Sequence, residues 1–464
     1  MPLGPGYTIE QQEIRVHFDP APVSKLHLDA QYRLRNTGNQ PLISLELRLP
    51  SRRRFHLSQA NAMWDKSSIA VQTSPENPRE TLLALPRPWR ISERHTLHLS
   101  AEFENPPAGE TGLTFSSDAF FLPSEGWAPE LLPSRGVFGV GGVPPKAWQL
   151  VVNVPEGFLV HMSGIQAKPS RSRKEITVRA VQRPEDRYPF VVAGRYSENT
   201  FGSGNEKIFL WTRTRQESAV LEKSAESIAS AMSAYDATFG NRDKSARPFW
   251  VVECPAATGC ITVQLSSYAA FMGDKPGQGF SALVSLDTAM MDLNAGVLLP
   301  AAVAPPLAAS WLGYGQNPAF YEQELPLSAL PAFSAAVGRE AIEGPAFRTE
   351  TIRRALNIIP KRTEEHKKES EDVLRAKSFL FFYGLQDRYG QEAFRNALHH
   401  MLSARRGRGF NLNDLIAAFD EETHQNTAEF ERLWMKRPGV PEEFRARYES
   451  ESAAMAATSK ETTP

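Results

Sequence analysis

The sequence predicts a multidomain α+β protein: an N-terminal β-sandwich, a mixed α/β centre and a C-terminal α-helical region. Three observations carry that reading. Residues 9–200 alternate apolar and polar side chains at period two, in short runs separated by turn residues. Residues 205–345 interleave strand-like runs with a clear helical stripe. From residue 372 onward, apolar residues recur at the i, i+3, i+4, i+7 spacing of packed helices.

In the N-terminal region, Leu26, Leu28, Ala30, Tyr32 and Leu34 alternate strictly with polar neighbours, the pattern of a half-buried strand. Asn36-Thr-Gly-Asn-Gln-Pro41 is dense turn chemistry. Alternation resumes at Ile43, Leu45, Leu47 and Leu49, so the two runs are expected to pair as a hairpin. Leu97, Leu99, Ala101 and Phe103 repeat the pattern, as do Trp148, Leu150, Val152 and Val154. Many short strands with frequent turns suggest a sandwich. His27 and His98 fall on the polar phase of their strands and are expected to face solvent rather than hold a metal. The run Gly136-Val-Phe-Gly-Val-Gly-Gly142 lies among strands, with Pro144 and Pro145 after it and no helix to receive a pyrophosphate, so it is not a dinucleotide fingerprint.

In the centre, Ile208, Leu210 and Thr212 begin a strand, Phe249–Glu253 is a short buried one, and Gly279–Leu286 reads as another. Leu221, Ala225, Ile228, Met232 and Tyr235 share one stripe of a helix that stops at Gly240. Residues 346–370 mix acids and bases and read as a solvated linker or helix face. Asp372–Tyr389 is then helical, with Leu374, Lys377, Phe381 and Leu385. Phe394, Leu398, Met401 and Leu402 mark a second stripe; Leu412, Leu415, Ile416 and Phe419 mark a third behind a cap at Asn411; Phe430, Leu433 and Trp434 follow.

A hydrophobic content of 41 % and a charged content of 23 % are those of an ordinary soluble globular protein. A net charge of −1 gives no reason to expect nucleic acid or an anionic membrane as partner, and no stretch qualifies as a transmembrane helix. Cys254 and Cys260 are too few for a disulfide framework or zinc knuckle. Their spacing permits a small disulfide loop, but two small core residues is the reading favoured. Met1–Gly6 lacks the basic and apolar segments of a signal peptide. The compartment is cytoplasmic if Met1 is the true start, and periplasmic or extracellular if the chain is a mature form.

Function is decided around Ala301–Gly313, AAVAPPLAASWLG, inside a run from Leu293 to Tyr321 that carries no charge and no His. Proline inside a helix costs about 3 kcal/mol or more, so any helix here is expected to begin at Pro305-Pro306. Ala308, Trp311 and Gly313, followed by Leu325-Pro-Leu-Ser-Ala-Leu-Pro-Ala-Phe333, resemble the active-site helices of the zinc aminopeptidases of the alanyl aminopeptidase family. That family reads H-E-x-A-H-x-W-x-G and then W-L-x-E-G-x-A-x-Y. Other landmarks follow in order: Tyr32–Leu42, Gly126-Trp127-Ala-Pro129, Arg187–Gly194, and, most extended, Ala376–Gly390, Glu392-Ala-Phe394, Leu412–Leu415 and Trp434–Pro441. The resemblance spans roughly residues 10–445.

The resemblance implies a saddle-like sandwich, a thermolysin-like (gluzincin) mixed domain and a helical part. The expected division is a disordered N-terminus over 1–8, the sandwich over 9–200, the first half of a degenerate peptidase-like domain over 201–345, its helical part over 346–448, and a disordered tail over 449–464. It also implies zinc chemistry, but the positions that would perform it are changed. The first zinc His falls on Pro305, the catalytic Glu on Pro306, the second His on Ala309 and the third ligand, a Glu, on Ser328. The transition-state Tyr of the Y-x-K-G setting falls on Arg375, with Lys377 keeping the Lys and Ser378 replacing the Gly. The amine-binding G-x-M-E-N segment has its counterpart at Thr258-Gly-Cys-Ile-Thr262, with no acid between Cys254 and Gly273. No His occurs between His161 and His366, and the adjacent His399 and His400 point about 100° apart on a helix, too far to share one ion. No nucleophile elbow, phosphate loop or catalytic Cys-His context is present, and Glu421-Glu422 and Glu442-Glu443 read as exposed helix charges.

The expectation is therefore a pseudo-peptidase, a non-catalytic homologue without zinc or other cofactor, serving as a peptide- or protein-binding scaffold. One alternative is a metallopeptidase with a rebuilt metal site, which predicts chelator-sensitive cleavage. Another is a structural subunit of a larger complex, which predicts an exposed apolar patch and a co-purifying partner. A peptide or protein would bind in the cleft between the N-terminal and helical domains. Trp311 and Tyr314 are the candidate lining residues, with core packing as the competing role for Trp311.

Overall fold

The computed structural model describes residues 6–20, 24–48, 56–73, 80–104, 115–122, 127–133, 142–183, 189–240, 248–254, 281–285, 288–291, 303–312, 326–361, 369–404 and 410–450. The chain forms two compact units: Met1–Ser197 with Cys254–Cys260, and Glu198–Glu253 with Ile261–Pro464. The first is β-rich and the second ends in helices, the α+β class that the periodicities predict.

The first unit is built on a large sheet. Its strands run in the order Ile165–Gln166, Glu175–Val181, Trp148–Pro155, Tyr7–Asp19, Lys25–Asn36, Arg94–Glu104, His56–Trp64 and Ser67–Ile69, with Ser170–Arg171 beside Glu175–Val181. Tyr7–Asp19 lies parallel to Trp148–Pro155 and antiparallel to Lys25–Asn36. Side chains alternate as the sequence requires. Ile14, Val16 and Phe18, Leu26, Leu28 and Tyr32, and Leu97 and Phe103 enter one core, while Arg15, His17, Asp29 and His98 face away from it. Two four-stranded sheets complete the unit: Leu159–Met162, Val191–Gly194, Ala119–Leu122 and Phe115–Ser116; and Glu130–Leu131, Leu42–Arg48, Glu80–Trp89 and Val71–Thr73.

The expected hairpin between Leu26–Leu34 and the following run does not form. Lys25–Asn36 pairs with Tyr7–Asp19 and Arg94–Glu104, whereas Leu42–Arg48 pairs with Glu80–Trp89 in another sheet. The turn between them changes sheets. Asn36 holds that corner: its buried amide donates to Trp89 O at 2.9 Å and Gln40 O at 3.2 Å, and its Oδ1 accepts from Gly38 N at 3.0 Å. A bulge between Leu42 and Ser44 then flips the alternation, so Leu42, Leu45 and Leu47 are buried while Ile43 is 72 % exposed. Cys254 is buried and disulfide-bonded, which corrects the expectation of an unpaired core residue. Cys260, most of the Gly136–Gly142 run, Thr258–Thr262 and the tail beyond residue 450 lie outside the described residues.

The second unit opens on a mixed five-stranded sheet in the order Ser197–Phe201, Ile208–Thr212, Phe249–Glu253, Thr288–Met291 and Ser281–Ser285. Its helices are α1 (Ser218–Phe239), α2 (Ala304–Leu312), α3 (Leu330–Glu343), α4 (Pro345–Ile358), α5 (Glu371–Tyr389), α6 (Gln391–Ala404), α7 (Leu412–Thr423) and α8 (Thr427–Met435). Helix α1 buries the stripe Leu221, Ala225, Ile228 and Tyr235, with Met232 at its margin, and stops at Gly240, whose φ of 83° suits a residue without a Cβ. The mixed-charge stretch after residue 345 is largely α4, which turns Ile352, Ala355 and Leu356 into the core. Asn411 caps α7 in a reciprocal box with Asp414, and Ser370 caps α5. Among the described residues no helix is long and apolar enough to cross a membrane.

Candidate functional site

Five positions of the aminopeptidase resemblance lie on two neighbouring elements of the second unit. Pro305, Pro306, Ala309 and Trp311 belong to α2. Ser328 belongs to the 3₁₀ turn Leu327–Ala329, which leads directly into α3, and α2 packs on α3. Helix α2 begins at Ala304, so both prolines stand in its first turn, where N–H groups have no intrahelical acceptor to lose. The prolines thus set where the helix starts instead of breaking it. Val303, Ala304, Leu307, Ala308 and Leu312 seat it in the core.

Tyr235 of α1 clasps these two helices together. Its hydroxyl donates to Ala304 O at 2.8 Å. The same hydroxyl lies against Gly338 of α3, where an added Cβ would overlap it. Burial pushes the Tyr235 phenol well above its ordinary value, so it remains a neutral donor. Trp311 is half-buried against the same core. Its Nε1 donates to Asp236 Oδ1 at 2.9 Å and its ring lies 5.3 Å from Tyr235. The indole is thereby anchored on α1. Tyr314 lies outside the described residues.

On α5, Arg375 is exposed and paired with Glu371 one turn earlier. Lys377 is fully enclosed. Its Nζ lies 2.6 Å from Glu369 Oε2 and 2.6 Å from Arg437 O, and Glu369 Oε1 accepts from Gly439 N at 2.8 Å. Ser378 returns its hydroxyl to Leu374 O at 2.8 Å. This Lys fastens the start of α5 to the turn after α8. A set of perturbed groups lies between α3, α4, α5 and the helical residues 442–450. Burial raises Glu340, with Arg348 partly opposing it, and burial raises the Tyr383 and Tyr448 phenols. Arg348 stacks over Tyr383 at 4.9 Å, and Tyr448 donates to Asp387 Oδ1 at 3.2 Å. The cluster sits among helix contacts, where it ties the C-terminal residues to the unit.

The histidines lie apart from α2 in the sequence. His161 is buried in the first unit beside Phe190. His399 Nδ1 lies 3.3 Å from Phe239 O, and His400 Nδ1 lies 3.8 Å from Glu421 Oε2; His366 is outside the described residues. Among the described residues, no group of three or more His, Cys, Asp or Glu side chains is arranged to hold a metal ion.

Comparison with known proteins places this geometry. An alanine mutant of an M1 zinc metallopeptidase from Deinococcus radiodurans superposes with a TM-score of 0.58 at 15 % identity, covering 94 % of this chain and 96 % of that one. The chain has the M1 zinc metallopeptidase fold. The unmutated D. radiodurans enzyme gives 0.56 at 15 % identity over 93 % and 94 % of the two chains. The mutant bound to the substrate Tyr-Ser-Ala gives 0.54 at 16 % identity over 94 % and 95 %. No protein-family profile and no curated protein matches the sequence. At this identity the likeness concerns the fold alone.

Two features of this chain's second unit escaped sequence reasoning. The Tyr235 clasp left only a hint, a glycine at 338 inside an otherwise helix-forming segment. The Lys377–Glu369 pair left none, because the partners flank a helix cap and their burial depends on a turn some sixty residues away.

Proposed function

We propose that this chain is a non-catalytic homologue of the M1 zinc aminopeptidases, a pseudo-peptidase that keeps the peptidase fold as a peptide- or protein-binding scaffold. One observation carries the reading. The helix that in the family carries two imidazoles a turn apart has Pro305 and Ala309 at those positions in its sequence, and the neighbouring element has Ser328. Zinc in such sites is held by imidazole nitrogen, carboxylate oxygen or thiolate. Pro and Ala side chains have no donor atom, and a serine hydroxyl is neutral, so these residues do not fit the ion. We therefore derive no step through zinc. Arg375 supports the same reading. Its guanidinium stays charged and faces solvent in an ion pair with Glu371, where the family would place a neutral phenol donor.

The proposed occupant is a peptide or an unstructured protein segment, by analogy with the like-folded enzyme that carries Tyr-Ser-Ala. The test is elemental analysis of the purified chain after exhaustive dialysis against metal-free buffer, with release of p-nitroaniline from aminoacyl-p-nitroanilides measured alongside. Zinc well below one per chain and no hydrolysis are expected. Zinc near one per chain with chelator-sensitive hydrolysis would overturn the reading in favour of a rebuilt metal site.

A further inference from the structure

The polar face of the large sheet carries a pair of histidines far in sequence from the positions discussed above. His17 on Tyr7–Asp19 stands directly opposite His27 on Lys25–Asn36 in the antiparallel register. Both point away from the core and are partly exposed, at 50 % and 39 % of the side chain. Their ring centroids are 6.0 Å apart. Each Nδ1 lies beside a carboxylate from a different strand: Glu175 Oε1 at 3.0 Å from His17 and Glu102 Oε2 at 3.2 Å from His27. The other oxygen of Glu102 is held by Lys25 Nζ at 2.7 Å.

We propose that His17 and His27 form a cross-strand clamp for one divalent transition-metal ion of the borderline class, Zn²⁺, Ni²⁺ or Cu²⁺. The carboxylates decide the tautomer. A carboxylate can only accept, so each neutral imidazole keeps its proton on Nδ1 and presents the Nε2 lone pair. This carboxylate–histidine arrangement orients metal-binding imidazoles and raises their basicity. An ion about 2.0–2.1 Å from each Nε2 lies about 3 Å from each ring centroid, so rings 6.0 Å apart can straddle it. Imidazole suits this class of ion, and the half-exposed site leaves the other coordination positions to water. With two protein ligands the site is open and exchangeable, unlike a buried catalytic centre.

The test is Cu²⁺ binding by the full chain, followed by calorimetry and by electron paramagnetic resonance. Cu²⁺ is the strictest probe because it binds nitrogen sites more tightly than its neighbours in the series. Wild-type protein should bind one Cu²⁺ whose spectrum reports two imidazole nitrogens. His17→Gln and His27→Gln should each weaken binding about tenfold or more and leave one nitrogen. Glu175→Gln should weaken it by a factor on the order of 10 while keeping both nitrogens, as loss of an outer-sphere partner does. His98→Gln, on the same exposed face, should bind as wild type. These side chains lie outside the core, so the variants keep the fold, as circular dichroism will verify. Failure of wild type to bind Cu²⁺, or wild-type affinity in either His variant, overturns the proposal. Because every variant lies in the N-terminal unit, neither result bears on zinc at α2.

Discussion

The enclosed Lys377–Glu369 pair makes the sharpest stability prediction. Replacing Lys377 with Met preserves most of the stem volume and removes the charge. It leaves Glu369, whose side chain is 10 % exposed, as a carboxylate without its cation, and Arg437 O without its donor. A buried charge stripped of its partner costs about 3–5 kcal/mol. With roughly 2–4 °C of midpoint per kcal/mol for a unit of this size, Lys377→Met should melt about 6–20 °C below the parent. The double variant Lys377→Met, Glu369→Gln removes both charges and should recover about half of the loss or more. Thermal and urea unfolding followed by tryptophan fluorescence measure all four corners of the cycle. A single variant within about 1 kcal/mol of the parent, the value of an exposed pair, would refute the argument. So would single costs that add without coupling in the double variant.

Three further outcomes follow from the same structure. Tyr235→Phe removes one buried hydrogen bond to Ala304 O and should cost about 1 kcal/mol, while Gly338→Ala drives a Cβ into the Tyr235 hydroxyl and should cost about 1–3 kcal/mol; equal, negligible effects in urea melts would dissolve the clasp. With Cys254 disulfide-bonded and two cysteines in the chain, thiol titration of the denatured, unreduced protein should find none, and two after reduction. The pH dependence has two opposite signs. Glu340 is raised by burial, so its contribution is present below the ordinary carboxylate range and is lost as pH rises through its folded value; Glu340→Gln should flatten that decline. For Asp65, burial raises the pKa, but the Thr96 N–H and His95 prevail and leave it lowered, so its contribution is present above about pH 4 and is lost on acidification below that. Asp65→Asn should remove the acid-side loss, and parallel stability-versus-pH curves for variant and parent would contradict the assignment.

Local pattern was enough to place most elements. The stripe Leu221, Ala225, Ile228 and Tyr235 and the Asn411 cap are properties of a few adjacent residues, and the structure has them where the sequence puts them. Pairing was less legible. The runs ending at Leu34 and beginning at Leu42 each alternate as a hairpin would, yet they enter different sheets at a corner where the Asn36 amide reaches Trp89 fifty-three residues away. The bulge at Leu42/Ser44 left no sequence signal either, and it moved Ile43 from expected core to surface. At the candidate site, Trp311 was legible as a packing residue, but its hydrogen bond to Asp236 and its contact with Tyr235 depend on where α1 lies.

On the pseudo-peptidase reading proposed above, the arrangement around α2 accounts for how the fold persists without the family's chemistry. Leu307, Ala308 and Leu312 hold the helix in the core, and Tyr235 holds its first carbonyl. None of these contacts uses the positions aligned with the zinc ligands. Pro305 and Pro306 stand in the first turn of the helix, where proline does not cost a hydrogen bond, so the helix tolerates them. In an active zinc site the same turn carries polar groups, and an empty site leaves them without their ion. On the proposed reading no ion is held, and Pro and Ala bring no polar group that would need one. On this argument, placing two imidazoles and two carboxylates at 305, 306, 309 and 328 should destabilise the metal-free protein, because the prolines that pre-set the helix start are lost and the new polar groups lack their ion. Added Zn²⁺ should recover the loss only if Ser328→Glu can reach an ion held by Pro305→His and Ala309→His. Thermal melts of the quadruple variant with and without Zn²⁺ decide it: an unchanged midpoint in the metal-free state would mean that this scaffold never opposed the ligands it lacks.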